Sequence, residues 1–355
     1  MLPRHFGRRG GVADLTFGNS TVSLPPFRPI WPMRSGFAQT VAVPLLGGRD
    51  LRGNDGCRRL VVAYEDGTGD RTDAYYQPAA GGAGKSRPAV VLFHGLGGDA
   101  STAYVTRSAA NLLGLGFDVM TPNFRGSGTA AELAREFHHP GRSEDVRLFF
   151  DGVRGQFPEF ADREFVVVAF SLGGHVMLKY LADAHSPERP QGVVAGVTIS
   201  APLSLDDTSR RLSTAANHPF CRYILHKMKT EYSRANGAAT DEQRAAMQTA
   251  RTVWQFDEAF TSKYLGYDSA ADFYAAMSAV DELRRIEVPT VLISAEDDPF
   301  VSESYYRDAA FGENRFLSRV VTDNGGHCGF FEGRRGKRWL DRTLETLIDS
   351  KFWTL

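Results

Sequence analysis

The chain has 355 residues, enough to bury a large core. Its 41 Lys and Arg balance 42 Asp and Glu, leaving a formal charge of −1 and no electrostatic reason to expect nucleic acid or an anionic membrane as the main partner. Three widely spaced cysteines, Cys57, Cys221 and Cys328, argue against a disulfide framework and for a reducing, cytoplasmic setting.

Residues 1–56 are rich in Gly, Pro and Arg without clear periodicity and read as an extended N-terminal arm. Its first eleven residues carry Arg4, Arg8 and Arg9 but no apolar stretch after them, so they read as a solvated basic tail rather than a secretory signal. Short β-like runs follow at 59–64 and 72–77, separated by the turn pair Asp66-Gly67. The glycines Gly81, Gly82 and Gly84 mark a loop. Residues 88–93 (PAVVLF) are wholly apolar, as in a parallel strand buried on both faces. A helix is expected at 101–115, a strand at 117–122, a glycine-rich loop at 125–128, and a helix opened by Ser143-Glu144-Asp145. The run at 164–170 (EFVVVAF) is the strongest strand signal, with a helix at 172–184 after it and strands at 192–200, 288–294 and 316–321. Alternating strands and helices predict an α/β fold with a mostly parallel, doubly wound sheet. The expected division is an arm at 1–56, a core at 57–202 and 286–355, and a helical lid at 203–285 over the carboxyl edge of the sheet, where such folds bind ligands. No stretch reaches the apolar length of a membrane span.

Ser171 lies in Ala169-Phe170-Ser171-Leu172-Gly173-Gly174, between the best strand and a helix. A serine there sits on a sharp strand-to-helix turn that lifts its hydroxyl out of the sheet and requires small neighbours two residues before and after. Gly173 meets that demand; Ala169 stands in place of the usual first glycine. A helix N-cap is the alternative role, but the strand–turn–helix setting favours a nucleophile.

Serine needs a base. His327 lies in the glycine-flanked loop Asp323-Asn324-Gly325-Gly326-His327-Cys328-Gly329-Phe330, just after the last strand. His138-His139 is the nearest rival pair and reads as part of a surface loop. A carboxylate after the 288–294 strand would orient the base; Asp298, directly before Pro299-Phe300, is chosen over Asp297. Two backbone N–H groups should receive the developing oxyanion: that of Leu172 and that of Leu96 in His94-Gly95-Leu96-Gly97-Gly98. This loop lacks the lysine and hydroxyl of a phosphate-binding loop, and no HExxH or CxxC spacing is present, so no metal or cofactor is expected.

These motifs resemble the YheT-like branch of the α/β-hydrolases. Phe27-Arg28-Pro29 through Trp31 to Gly36, Gln39 and Thr40 is similar to that branch's N-terminal signature. Asn123-Phe124-Arg125-Gly126 resembles its F-R-G loop, and Ser143-Glu144-Asp145 its T-E-D segment. In the lid, Trp254-Gln255-Phe256-Asp257 through Phe260-Thr261 and then Gly266-Tyr267 and Asp272-Phe273-Tyr274 follow in matching order, and residues 325–332 match its G-G-H-x-G-F-x-E pattern. His94 departs from the proline common there. The resemblance implies a charge relay of Ser171, Asp298 and His327 and hydrolysis of carboxylic esters, and leaves the substrate open, with an acylglycerol or another lipid ester among the candidates.

Three functions are compatible with these motifs. A carboxylic ester hydrolase acting through an acyl-enzyme leads; an acyltransferase passing the acyl group to an alcohol would use the same triad; a non-catalytic ligand-binding protein would keep the triad as a relic. Dehalogenase and epoxide hydrolase chemistry would require an aspartate in place of Ser171. The lid aromatics Phe220, Tyr223, Trp254, Phe256, Phe260, Tyr264, Tyr267, Phe273 and Tyr274 could line an acyl pocket, although packing of the lid onto the body explains most of them. The expected partner is a small-molecule ester, with transient membrane contact and no nucleic acid.

Overall fold

The computed structural model describes residues 13–17, 20–29, 31–46, 48, 50–80, 87–183, 192–234, 240–307, 310–332 and 338–354. The basic tail at 1–11 and the glycines Gly81, Gly82 and Gly84 lie outside them. Strands β1 (Ala13–Phe17) and β2 (Ser20–Leu24) form an antiparallel hairpin, and helix α1 (Gly36–Leu45) follows, with Ser35 accepting a hydrogen bond from Ala38 N at its start. The arm is therefore not extended as expected. Helix α1 carries no core-facing apolar stripe: its large apolar side chains do not face the core, while Gly36, Gln39, Thr40 and Ala42 do.

Next come β3 (Arg58–Ala63), β4 (Arg71–Gln77), β5 (Ala89–Phe93), α2 (Ala103–Gly114), β6 (Val119–Pro122), α3 (Glu144–Gln156), β7 (Phe165–Phe170), α4 (Leu172–Ala182) and β8 (Val193–Ile199). The described residues of 203–285 are largely helical: α5 (Leu205–Leu212), α6 (His218–Arg234), α7 (Asp241–Thr249), α8 (Val253–Phe256), a π-helical turn at Asp257–Thr261, α9 (Ser262–Tyr264) and α10 (Ala270–Met277). Then β9 (Thr290–Ala295), α11 (Ala310–Glu313), β10 (Leu317–Thr322) and α12 (Trp339–Asp349) complete the chain. The core strands and the helices α2, α3 and α4 fall where the runs in the sequence place them. Helix α12 is not among the expected elements, although its buried Trp339, Leu340, Thr343, Leu344, Leu347 and Ile348 recur at helical spacing.

Eight strands form one sheet in the order β10-β9-β8-β7-β5-β6-β4-β3. Strands β5 to β10 pair in parallel, and only β4 runs against its neighbours β6 and β3. This is the mostly parallel sheet of an α/β-hydrolase fold. Alternation along β5 shows why both faces are covered: Val90 and Leu92 pack with α2 and α12, Val91 and Phe93 with α3 and α4. All six residues of β7 are buried. Burying an apolar side chain of this size contributes about 1.5–3 kcal/mol, which anchors the turn that follows.

Arg125 is buried and bonds three carboxylates, those of Asp66, Asp70 and Asp145, at 2.6, 2.9 and 2.8 Å. The F-R-G and S-E-D segments thus meet in one ion cluster that ties the β3–β4 turn to the loop after β6 and the start of α3. Cys57, Cys221 and Cys328 are free. Among the described residues, no helix is long and apolar enough to cross a membrane.

Candidate active site

Ser171 follows β7 directly and precedes α4. Its backbone has φ 52° and ψ −127°, a strained conformation that costs a non-glycine residue about 1–3 kcal/mol. Hydrogen bonds from Ser171 N to Ile199 O (2.8 Å) and from His175 N to Ser171 O (3.1 Å) hold it there. A Cβ on Gly173 would lie 2.1 Å from His94 O, so the residue two after the serine has no room for a side chain. Two residues before, Ala169 is fully buried within the sheet between Phe93 and Thr198, and its methyl is accommodated.

His327 reaches the serine from the loop after β10. Its Nε2 is 2.8 Å from Ser171 Oγ, and its Nδ1 is 3.0 and 3.2 Å from the two oxygens of Asp298. Asp298 Oδ1 also accepts from Phe300 N and Val301 N at 2.9 and 3.1 Å, which fixes the carboxylate. The Asp298 side chain is fully buried. Burial by itself disfavours the His327 imidazolium, but the charge of Asp298, with Cys328 beside it, outweighs that and moves the His327 pKa up. Asp297 faces elsewhere: it accepts from Gly326 N at 2.9 Å and from Asn324 Nδ2 at 3.3 Å.

The groups that hold the histidine loop are ones the sequence does not announce. Thr40 Oγ accepts from His327 N (2.9 Å) and donates to Gly36 O (2.7 Å). The Gln39 amide exchanges two hydrogen bonds with the Phe331 backbone, at 2.7 and 2.9 Å. Ser200 Oγ accepts from Cys328 N at 3.1 Å, with Ser200 and Cys328 both at positive φ. A Cβ on Gly36 would overlap Asp297 O at 1.7 Å, so α1 lies directly against the acid turn. A signal does exist: Gly36, Gln39 and Thr40 belong to the N-terminal signature, but its purpose is visible only once residues nearly 300 positions apart meet.

Leu172 opens α4, so its N–H belongs to the first turn, where no carbonyl four residues back can receive it. Leu96 sits in the turn closed by Gly98 N to Gly95 O at 3.1 Å. Both residues line the cavity that contains Ser171 and His327. That turn is braced from two sides. Tyr104 Oη accepts from Gly95 N at 2.9 Å. His94 Nε2 accepts from Phe124 N at 3.1 Å, which leaves Nδ1 to carry the proton and donate to Gly95 O at 2.8 Å. The histidine that replaces proline therefore cross-links the loops after β5 and β6.

His138-His139 is not in a surface loop. Both residues are buried; the His138 ring stacks 3.8 Å from that of Phe124, and among the described residues neither of its ring nitrogens has a hydrogen-bond partner. The aromatic cluster of Phe124, Phe137 and Tyr232 draws the pair inward. Desolvation lowers both pKa values, that of His139 to about 3.

Above the triad lies a cavity of about 550 Å³, walled largely by apolar side chains from α1, α5 and α6. Of the nine lid aromatics, Phe220, Tyr223 and Tyr274 line it, whereas Phe256, Phe260 and Phe273 are packed into the interior. Its far wall is polar: Tyr274 Oη donates to Asp257 Oδ2 at 2.6 Å and lies 2.8 Å from Ser209 Oγ. Desolvation raises the Asp257 pKa to about 6.

The family model for the alpha/beta hydrolase fold matches residues 88–334. YheT of Escherichia coli, an esterase by name, is 28% identical over 274 residues, 75% of this chain and 78% of that protein. Monoacylglycerol lipase of Saccharomyces cerevisiae is 26% identical over 73% of this chain and 58% of its own length, and Phospholipase ABHD3 of Mus musculus is 25% identical over 79% and 67%. The chain thus spans little more than half of the yeast relative. These relatives bear out the resemblance read from the arm, lid and histidine-loop motifs. Among solved structures, 2,6-dihydroxy-pseudo-oxynicotine hydrolase shares the fold, with a TM-score of 0.54 and 18% identity over 89% of this chain and 71% of that one.

Proposed function

This chain belongs to the alpha/beta hydrolase fold family, and on that premise we propose that it hydrolyses carboxylic esters through Ser171, His327 and Asp298. Its relatives are esterases, monoacylglycerol lipases and phospholipases. The observation that carries the reading is the unbroken hydrogen-bond line from Asp298 through His327 to Ser171 Oγ at the floor of an apolar cavity.

The chemistry follows from that line. His327 Nε2 takes the Ser171 proton as Oγ attacks the ester carbonyl, and Asp298 stabilises the imidazolium that results. The carbonyl oxygen becomes an anion facing the N–H groups of Leu96 and Leu172; one such donor is typically worth about 10²–10³ in kcat. Collapse of the tetrahedral intermediate breaks the ester C–O bond, and the departing alcohol takes the proton from His327. Water, deprotonated by the same nitrogen, then attacks the acyl-enzyme and releases the acid and Ser171.

Residues 203–285 serve in this reading as a lid over the core at 57–202 and 286–355, with helix α1 of the arm (1–56) braced against the histidine loop. The substrate is a small or lipid-type ester whose acyl part occupies the cavity. Esters of increasing chain length, assayed on wild type and Ser171→Ala, test the proposal: activity should depend on chain length and vanish in the variant. Full activity in Ser171→Ala refutes it. Adding an alcohol to the same assay separates hydrolysis from acyl transfer, because a transferase would divert the acyl group to the new ester.

A further inference from the structure

Tyr104, the second residue of α2, has a hydroxyl that is only half used. Its Oη accepts from Gly95 N at 2.9 Å, which commits one lone pair to the loop after β5. A phenol also carries one proton to donate. Among the described residues no acceptor takes that proton. Tyr104 lines the cavity that holds Ser171 and His327, so its O–H is available to whatever occupies that cavity. Desolvation raises the Tyr104 pKa, which keeps the phenol protonated and suits it to donate rather than to act as a base.

The hydroxyl stands beside the nucleophile. A Cβ on Gly95 would lie 3.1 Å from Tyr104 Oη and 2.9 Å from Ser171 Cβ, so phenol and serine crowd the same side of that glycine. The Tyr104 ring packs against that of Phe170, the residue directly before Ser171, with centroids 4.7 Å apart. Held by Phe170 at its ring and by Gly95 N at its oxygen, the side chain is positioned before any substrate arrives. The two backbone donors expected for the oxyanion adjoin the same contacts: Leu96 follows Gly95, and Leu172 follows Ser171. Among the described residues, the N–H groups of Leu96 and Leu172 have no acceptor either. Three unspent donors thus border one serine.

We propose that Tyr104 is the third donor of the oxyanion hole, its O–H binding the ester carbonyl oxygen as Ser171 Oγ adds to the carbon. This role rests on the reading of the chain as a serine hydrolase. In the addition the C=O electron pair moves onto oxygen, and hydrogen bonds from Leu96, Leu172 and Tyr104 receive the charge in a site that needs no rearrangement. Tyr104 keeps its proton throughout, so none has to be returned when the intermediate collapses. The bond from Gly95 N to Oη polarises the phenol and strengthens its donation, and an O–H bonded to an anion belongs to the shorter, stronger class of hydrogen bond.

Phenyl esters of one acyl chain and several leaving phenols test this on wild type, Ser171→Ala and Tyr104→Phe. The phenylalanine variant keeps the ring on Phe170 and removes the donor. Its kcat/KM should fall by about 10²–10³, and by the same factor for every leaving phenol, because the oxyanion is common to them all. That variant also strands the Gly95 N–H, so a second protein carries 3-fluorotyrosine at position 104, which retains both bonds. Fluorine makes the phenol a better donor and a poorer acceptor. Donation to the oxyanion therefore predicts a kcat/KM above wild type, whereas a mere brace for the Gly95 loop predicts a value at or below it.

An unchanged rate in Tyr104→Phe overturns the role, as does a fluorotyrosine enzyme no faster than wild type. A loss in Tyr104→Phe that grows as the leaving phenol becomes less acidic also overturns it, since the hydroxyl would then serve the departing oxygen. Wild type inactive on every ester, or Ser171→Ala as active as wild type, instead overturns the hydrolase reading, and the role falls with it.

Discussion

Replacing Thr40 by valine keeps the shape of the side chain and removes its hydroxyl. That hydroxyl accepts from His327 N at 2.9 Å and donates to Gly36 O at 2.7 Å, and the site is buried. The substitution therefore leaves the His327 N–H without its partner, while Gly36 O keeps the helical bond from Thr40 N. Such an N–H costs about 1–3 kcal/mol when left unpaired in a buried site, and that is the expected loss. The loss can appear in two places. If the histidine loop keeps its position, the whole amount is lost from stability. If the loop shifts so that His327 N reaches another acceptor, the 2.8 Å contact between Nε2 and Ser171 Oγ lengthens, and about 10- to 100-fold in kcat, or about 1.4–2.8 kcal/mol, is lost instead. KM should change little, because Thr40 is small and the apolar walls of the cavity remain. Urea denaturation and steady-state kinetics on wild type, Thr40→Val and Thr40→Ser measure both terms, and the serine variant should restore most of each. A Thr40→Val protein with wild-type stability and wild-type kcat would refute the role assigned to this hydroxyl.

Asp298→Asn should cut kcat by about 10⁴, the size of effect known for such a substitution in a serine triad. With its carboxylate gone, the imidazolium loses the charge that raises its pKa. The free base required for catalysis then persists to lower pH, so the acid limb of kcat/KM moves down from its wild-type position above 6.5. Arg125→Leu leaves Asp66, Asp70 and Asp145 without their shared cation and should destabilise by about 3–5 kcal/mol, read by denaturant unfolding. For Asp257 the sign runs the other way. A buried carboxyl whose pKa rises from 3.8 to about 6 binds its proton more tightly in the folded state, so stability falls as pH climbs between those values, by about 3 kcal/mol in total. Asp257→Asn should remove that decline, and melting temperatures of the two proteins from pH 4 to 7 would show equal slopes if the assignment were wrong.

Much of the core can be read from the chain because parallel strands covered on both faces leave uninterrupted β-branched runs, as in Phe165–Phe170. Ser171 is legible for the same reason: a strained turn demands both a strong strand before it and a glycine two residues after, and Gly173 supplies the second. His327 follows from its glycine-flanked place after β10. Helix α1 is not legible, since its buried face holds Gly36, Gln39, Thr40 and Ala42 and its apolar face points outward. Gln39 and Thr40 stand out only as part of a family pattern; their partners Phe331 and His327 lie 292 and 287 residues away, a distance no local pattern spans. His138-His139 misleads because two polar residues beside Pro140 look like a loop tip, whereas stacking on Phe124 compensates for burying a ring without hydrogen bonds.

The convergence of Ser171, His327 and Asp298 matters only if it makes that one hydroxyl nucleophilic. Folded protein treated with a fluorophosphonate and analysed by intact mass and peptide mapping asks this directly. A single adduct on the peptide containing Ser171, absent in His327→Ala, is the expected result. An unmodified Ser171 in folded wild type, or an adduct on a different serine, would contradict it.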